Sequence, residues 1–382
     1  MELAFGIILG LLILVFLVVI HELGHAIAAR RNGVVVEEFG IGFPPKAWAK
    51  KLKNGVLFTI NWLPLGGFVR LKGEHDAATK KGDYGAASYW QKTRILLAGV
   101  AINWLVAAGI LAVLAWVGLP KILPNQFSIP GDTTIVKQPV EITFVAKDSP
   151  ADKAGLKVGD KVVRFAGEPV PTAELLSSQT KEKKGQTVEV IYSRKGVESS
   201  ATVELRADNQ NEQGYLGVGS GQREQIQASW SAPIVGVVTT AQFTGVTLSG
   251  LGDLVVNLVK GIALQISPDQ ATREHAHQSL QTVSNSVAGP IGILGTIFPA
   301  AEQAGPVQLA FLTAIISLTL AVMNVLPIPA LDGGRWFIMT IFRLLKKPLS
   351  KEHEERIQAT GFMVLMMLVV LVTIADVGKL FK

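Results

Sequence analysis

Two histidines and a glutamate stand together near the start of the chain, in the order His21-Glu22-Leu23-Gly24-His25. On a helix, positions i and i+4 share a face, so the two imidazoles can hold one zinc ion with Glu22 beside it as general base. A hydrolytic zinc site takes a third protein ligand and leaves a fourth position for water. The extended pattern of one metalloprotease class would place a glycine at position 28 and a histidine at position 31. The chain has Ala28 and Arg31 there, and Glu37 and Glu38 follow in a stretch that reads as loop. Cysteine is absent, which excludes thiol catalysis and thiolate ligands. The third ligand must therefore come from farther along. The bland reading, two histidines and a glutamate sharing interhelical hydrogen bonds, is weakened by their place at the end of an apolar helix, where such groups are costly without a purpose.

That helix is the first of the elements that must position them. Of 382 residues, 49% are hydrophobic and 17% charged; soluble domains are roughly 45–50% apolar with glycine included and about 25% charged. With 38 glycines added, the apolar share reaches about 59%, which points to membrane segments and away from disorder. Leu3 to Ile20 is an unbroken apolar run and reads as a transmembrane helix. A cleaved signal peptide would carry a basic start and a shorter run. At 1.5 Å per residue, His21 lies about 27 Å from Leu3, near the far edge of a hydrocarbon layer roughly 30 Å thick. Further spans are expected from Ile95 to Leu119, from Val307 to Leu326 and from Gly361 to Ala375. Ala232 to Ile266 has helical spacing too, but Asp253, Asn257 and Lys260 favour an amphipathic helix lying on the membrane or on the protein. The segment Arg30 to Arg94 holds twelve Lys/Arg against five Asp/Glu. The excess positive charge puts it in the cytoplasm and the N-terminus outside. The basic link between the last two spans agrees, and a fifth span would put that link on the wrong side.

The third span then ends at the depth of His21, where the chain reads Asn324-Val325-Leu326-Pro327-Ile328-Pro329-Ala330-Leu331-Asp332-Gly333-Gly334. Two prolines break the helix, which at membrane depth requires burial in protein or a watery cavity. Asp332 is the carboxylate delivered there, either as third zinc ligand or as a solvated turn residue. His75, His275, His277 and His353 form no constellation, and no phosphate-binding loop or nucleic-acid module is present.

The pairing of His21–His25 with the stretch from Asn324 to Gly333 resembles the site-2 protease family of intramembrane zinc metalloproteases, in its bacterial RseP-type branch. Gly99 to Asn103 is similar to that branch's G-x-x-x-N element, Pro64 to Arg70 to its membrane-associated β-loop, and Ser286 to Gly292 to its S-x-x-G-P-I-G segment. The resemblance implies zinc held by His21, His25 and Asp332, with Glu22 as catalytic base. It also implies single-span membrane substrates such as anti-sigma factors or remnant signal peptides, in the bacterial plasma (inner) membrane. Asn103 and Asn324 are candidates to touch substrate or, for Asn103, to glue helices together. Val56 to Arg70 reads as a hairpin, and Gly67 and Phe68 on its edge would either receive an unwound substrate strand or cover the site. Ser149 to Val163 resembles a PDZ domain, with a short helix, a Gly-Asp turn and a strand; it would bind peptide ends or gate by size.

The expected architecture is a polytopic α-helical membrane protein with four transmembrane helices, a cytoplasmic membrane-associated β-hairpin region and one extracytoplasmic PDZ domain of α+β type. Residues 1–119 would form the first part of the catalytic core, with spans at about 3–26 and 95–119 around a β-loop region at 31–93. Residues 120–225 would be the PDZ domain, 226–306 the surface helix and loop, and 307–382 the second part of the core, with spans at about 307–332 and 359–378. Expected partners are substrate, membrane lipid and a PDZ peptide, with no nucleic acid. A catalytically silent PDZ scaffold with a structural zinc is the rival reading, and the intact Glu22 argues against it. A metal-ion transporter would need its ligands at the bilayer midplane.

Overall fold

The computed structural model describes residues 2–194, 196–209, 214–265 and 269–380, which fold as two compact units. One comprises the chain up to Leu114 and from Ala232 onward; the other is Ala115–Ser231.

The first unit begins with α1 (Glu2–Arg31), whose Leu, Ile and Val side chains leave the backbone to satisfy itself within the helix. Next come β1 (Val36–Lys51), β2 (Leu57–Leu71) and α2 (Tyr89–Val117). Small residues let the helices meet closely. A methyl group on Gly24 would come within 2.8 Å of the Ala98 carbonyl oxygen of α2. The expected hairpin from Val56 to Arg70 is corrected by the sheet, and Glu37 and Glu38 lie in strand rather than loop. The two halves of β2 do not pair with each other, because the first half of β1 lies between them. Ile41 stands opposite Ile60 on one side and Gly67 on the other, while Lys46 to Lys51 pairs with Asn61 to Leu57. Among the described residues the segment 67–71 therefore has a strand neighbour on one side only. Buried Glu38 locks this sheet, bonded by Thr59, Lys46 and Arg70 at 3.1, 3.0 and 2.6 Å. Burial alone would raise its carboxyl, but Lys46, Thr59 and Arg70 hold it below the usual carboxylate range.

The second unit carries β3 (Leu119–Pro120), β4 (Thr134–Lys137), β5 (Val140–Val145), α3 (Pro150–Lys153), β6 (Lys161–Phe165), β7 (Glu168–Pro169), α4 (Ala173–Glu182), β8 (Thr187–Arg194), β9 (Val197–Glu204), β10 (Val218–Gly221) and β11 (Glu224–Gln227). Strands run in the order β10-β5-β6-β8-β9, with β7 on β6, and a separate β3-β11-β4 sheet. Val140, Ile142, Val162, Phe165, Leu176 and Val190 fill its core. The expected short helix, Gly-Asp turn and strand follow one another: Ser149 caps α3, and buried Asp160 is gripped by Arg194 through two 2.7 Å bonds.

The chain returns to the first unit through α5 (Ala232–Gln265), α6 (Gln270–Ser286), α7 (Pro290–Gly292), a π-helical turn at Ile293–Ile297, α8 (Phe298–Gln303), α9 (Pro306–Val325), α10 (Asp332–Leu344) and α11 (Lys351–Leu380). Five helices, α1, α2, α5, α9 and α11, are long and apolar enough to cross a membrane, where four were expected. The addition is α5. Of the two expected places, on the membrane or on the protein, its first half takes the second, against α2 and α9. Gly236 abuts Ala112, Thr244 accepts a 3.1 Å bond from Trp104, and Phe243 meets Phe311 edge-on. Gly6 and Gly10 of α1 press on Pro299 and Phe298, shortly before α9, so α1 and α9 begin at the same end of the unit.

Candidate metal centre

His21 and His25 project from one face of α1 with their rings edge to face, centroids 4.8 Å apart. Both are buried, and their Nε2 atoms are 3.1 Å apart. Asp332 opens α10, and its Oδ2 lies 3.0 Å from His21 Nε2 and 3.2 Å from His25 Nε2. Among the described residues these three are the one group of histidine and carboxylate side chains arranged to hold a metal ion.

The turn before α10 explains how a carboxylate 311 residues away arrives here. After α9, Leu326 turns extended and the backbone folds over the start of α10, with Ala330 at a φ of +80°. A methyl group on Gly333 would lie 2.0 Å from the Val325 carbonyl oxygen, and one on Gly334 2.0 Å from that of Ile328. The helix is then held from three sides. Arg335 stacks on buried Tyr84 at 4.6 Å, bonds the Glu74 carboxylate at 2.9 Å and pairs with Glu354 at 3.1 Å. Trp336 donates to Thr93 at 3.1 Å. Neither Arg335 nor Tyr84 stood out in the sequence, because their partners come from separate segments. A cavity of about 580 Å³, lined among others by Arg70, Glu74, His75, Arg335 and Glu354, brings polar surface up to Asp332.

Zinc bonded at about 2.0–2.1 Å to tetrahedral ligands sets those ligand atoms roughly 3.3 Å apart. The 3.0–3.2 Å triangle found here fits that with a slight expansion. Two further observations agree. His25 Nδ1 donates to the Ile95 carbonyl at 2.8 Å, which leaves Nε2 free to ligate. Gly99 faces the triad, and a methyl group there would lie 2.5 Å from His25 Nε2 and 2.7 Å from His21 Nε2. The space beside the ligand atoms exists because this residue has no side chain. Replacing Gly99 by Ala should turn the imidazoles aside at an overpacking cost of about 1–3 kcal/mol, or roughly 5- to 150-fold in zinc affinity. Competition against a metallochromic chelator would read this directly.

Glu22 sits beside the triad facing the free edge of the sheet, with its Cγ 3.6 Å from where a Gly67 side chain would begin and the Val69 backbone directed at it. Of the other candidates, Asn103 reaches the site, with its carboxamide nitrogen 3.5 Å from His21 Nδ1. Asn324 bonds the Leu320 carbonyl of its own helix at 2.9 Å, and the Phe68 ring lies over Gly40.

The model of peptidase family M50 matches residues 9–368, and the chain belongs to that family as a zinc metalloprotease. It is 30% identical to a protein of Clostridium perfringens named as a zinc metalloprotease, over 97% of this chain and 98% of that one. It is 26% identical to the regulator of sigma-W protease RasP of Bacillus subtilis, over 96% of each. A solved PDZ domain of an SdrC-like protein from Listeria monocytogenes is 21% identical and covers 25% of this chain and 93% of its own, at a TM-score of 0.20.

Proposed function

We propose that this chain cleaves peptide bonds within or beside the transmembrane segment of single-span proteins in the bacterial plasma membrane, with Glu22 as catalytic base and His21, His25 and Asp332 as zinc ligands. The observation that carries the reading is the 3.0–3.2 Å triangle of ligand atoms at the end of an apolar helix. Zinc, when held there, acidifies a water and polarises the scissile carbonyl. Glu22 accepts the proton of the attacking water and delivers it to the leaving amine. A helical substrate must be unwound first, since its amides are already bonded along the helix. The free edge of residues 67–71, beside Glu22, offers the backbone partners for an extended segment.

Chain direction supports four spans. α1 and α9 run the same way and α2 the opposite way, so everything between α2 and α9 must cross an even number of times. A crossing by α5 would need α6 to cross back, carrying Arg273 and Glu274 through hydrocarbon at about 2.5–3.5 kcal/mol each. α1, α2, α9 and α11 are the spans in this reading, and the first half of α5 packs beside α2. Positive charge puts the metal end at the cytoplasmic face and residues 120–225, a PDZ domain that binds peptide or gates by size, outside. Anti-sigma factors are substrate candidates in this reading, and the Bacillus relative is named a regulator of sigma-W.

The test is purified protein in liposomes with a panel of single-span peptides, products read by mass spectrometry. Cleavage inside the apolar segment, abolished by chelator and restored by zinc, is expected. Cleavage that survives chelation, or none of any peptide by zinc-loaded protein, would sink the proposal.

A further inference from the structure

Ligation through Nε2 makes a demand on the other nitrogen of each imidazole. Nδ1 then carries the hydrogen, and once buried it needs an acceptor. His25 meets the demand with the Ile95 carbonyl at 2.8 Å. For His21, which is 6% exposed, the group within reach among the described residues is the Asn103 carboxamide, 3.5 Å away.

Asn103 is itself 1% exposed, and its Oδ1 has no hydrogen-bond partner. As placed, a carboxamide N–H₂ faces an imidazole nitrogen that must itself donate when Nε2 binds metal, while a buried acceptor goes unused. Oxygen and nitrogen of a carboxamide are near-isosteric, and their assignment follows from the network. A half-turn of the group brings Oδ1 to His21 Nδ1–H and ends the donor–donor conflict, with the carboxamide N–H₂ then the unpaired group. The residue is also fixed from behind: Ser317 of α9 donates to the Asn103 backbone carbonyl at 2.9 Å. The two helices that flank the triad are thus joined at the residue that faces His21.

We infer that Asn103 is a positioning residue whose carboxamide oxygen accepts from His21 Nδ1–H, holding that ring in the tautomer and orientation that ligate zinc, and that it is not a substrate contact. The inference rests on the zinc reading above. Asn103→Asp keeps an acceptor in the same place, whereas Asn103→Leu keeps the volume without one. With full-length protein in detergent, zinc affinity measured by chelator competition should fall by about 10- to 100-fold in the leucine variant. It should stay within about threefold of the parent in the aspartate variant. Cleavage by the leucine variant at subsaturating zinc should be restored by added zinc with KM unchanged. If leucine aggregates, Asn103→Ala serves as the acceptor-free variant. Parental zinc affinity in a folded acceptor-free variant would overturn the inference, as would an aspartate variant as weak as leucine, or a KM rise with zinc retention intact. A parent that binds no zinc at all would instead remove the zinc reading, and this inference with it.

Discussion

Glu22→Gln should retain its zinc and lose proteolysis, with kcat reduced by on the order of 10²- to 10⁴-fold. The carboxamide has the shape of the carboxylate, so the packing of Glu22 against Gly67 is preserved. Its nitrogen and weakly basic oxygen cannot take a proton from water. The ligand triangle lies outside this side chain, on His21, His25 and Asp332. Metal content by atomic absorption and turnover of a single-span reporter should therefore separate cleanly. A catalytically silent scaffold holding a structural ion predicts no change in either quantity. Substantial cleavage by the glutamine variant would show that another group carries the proton.

Gly333→Ala should remove the third ligand without touching it. The added methyl would lie 2.0 Å from the Val325 carbonyl oxygen and 2.3 Å from its carbon, and both are backbone atoms with nowhere to go. The turn must open, and Asp332, one residue earlier, moves with it. Apparent zinc binding free energies of about 10–16 kcal/mol, shared over four ligands, amount to roughly 2.5–4 kcal/mol each. Zinc affinity should fall by on the order of 10²- to 10³-fold, and cleavage at limiting zinc should fall in parallel. Unfolding should show the first unit weakened and the residues of the Ala115–Ser231 unit unaffected. A variant that binds zinc normally would mean the turn relaxes without displacing the carboxylate.

The meeting of His21, His25 and Asp332 was legible in the sequence because two rules converge there. Helical spacing joins His21 to His25, and parallel chain direction in a bilayer brings the break after Asn324 to the same depth. The sheet was not legible. A hairpin from Val56 to Arg70 is what alternation suggests, and nothing local announces that residues 36–41 will insert between its arms. The sequence left open whether α5 lies on the membrane or on the protein, and its first half takes the second place. Polarity alone does not show which face packs, since Thr239 and Thr240 are fully buried. Thr240 donates to the Gly236 carbonyl of its own helix at 2.7 Å, and Thr244 to that of Thr240. A hydroxyl satisfied this way can face a neighbouring helix. The clamp on α10 brings Glu74, Tyr84, Arg335 and Glu354 together from separate segments, which only the tertiary structure can do.

The 311 residues separating His21 from Asp332 also set a clock. At about 5–20 residues per second, roughly 15–60 s of translation pass between the imidazoles and the carboxylate. Throughout that interval the nascent polypeptide carries the two imidazoles without the carboxylate that completes the group. The carboxylate thus reaches the two imidazoles only after that interval, a delay set by its place along the chain.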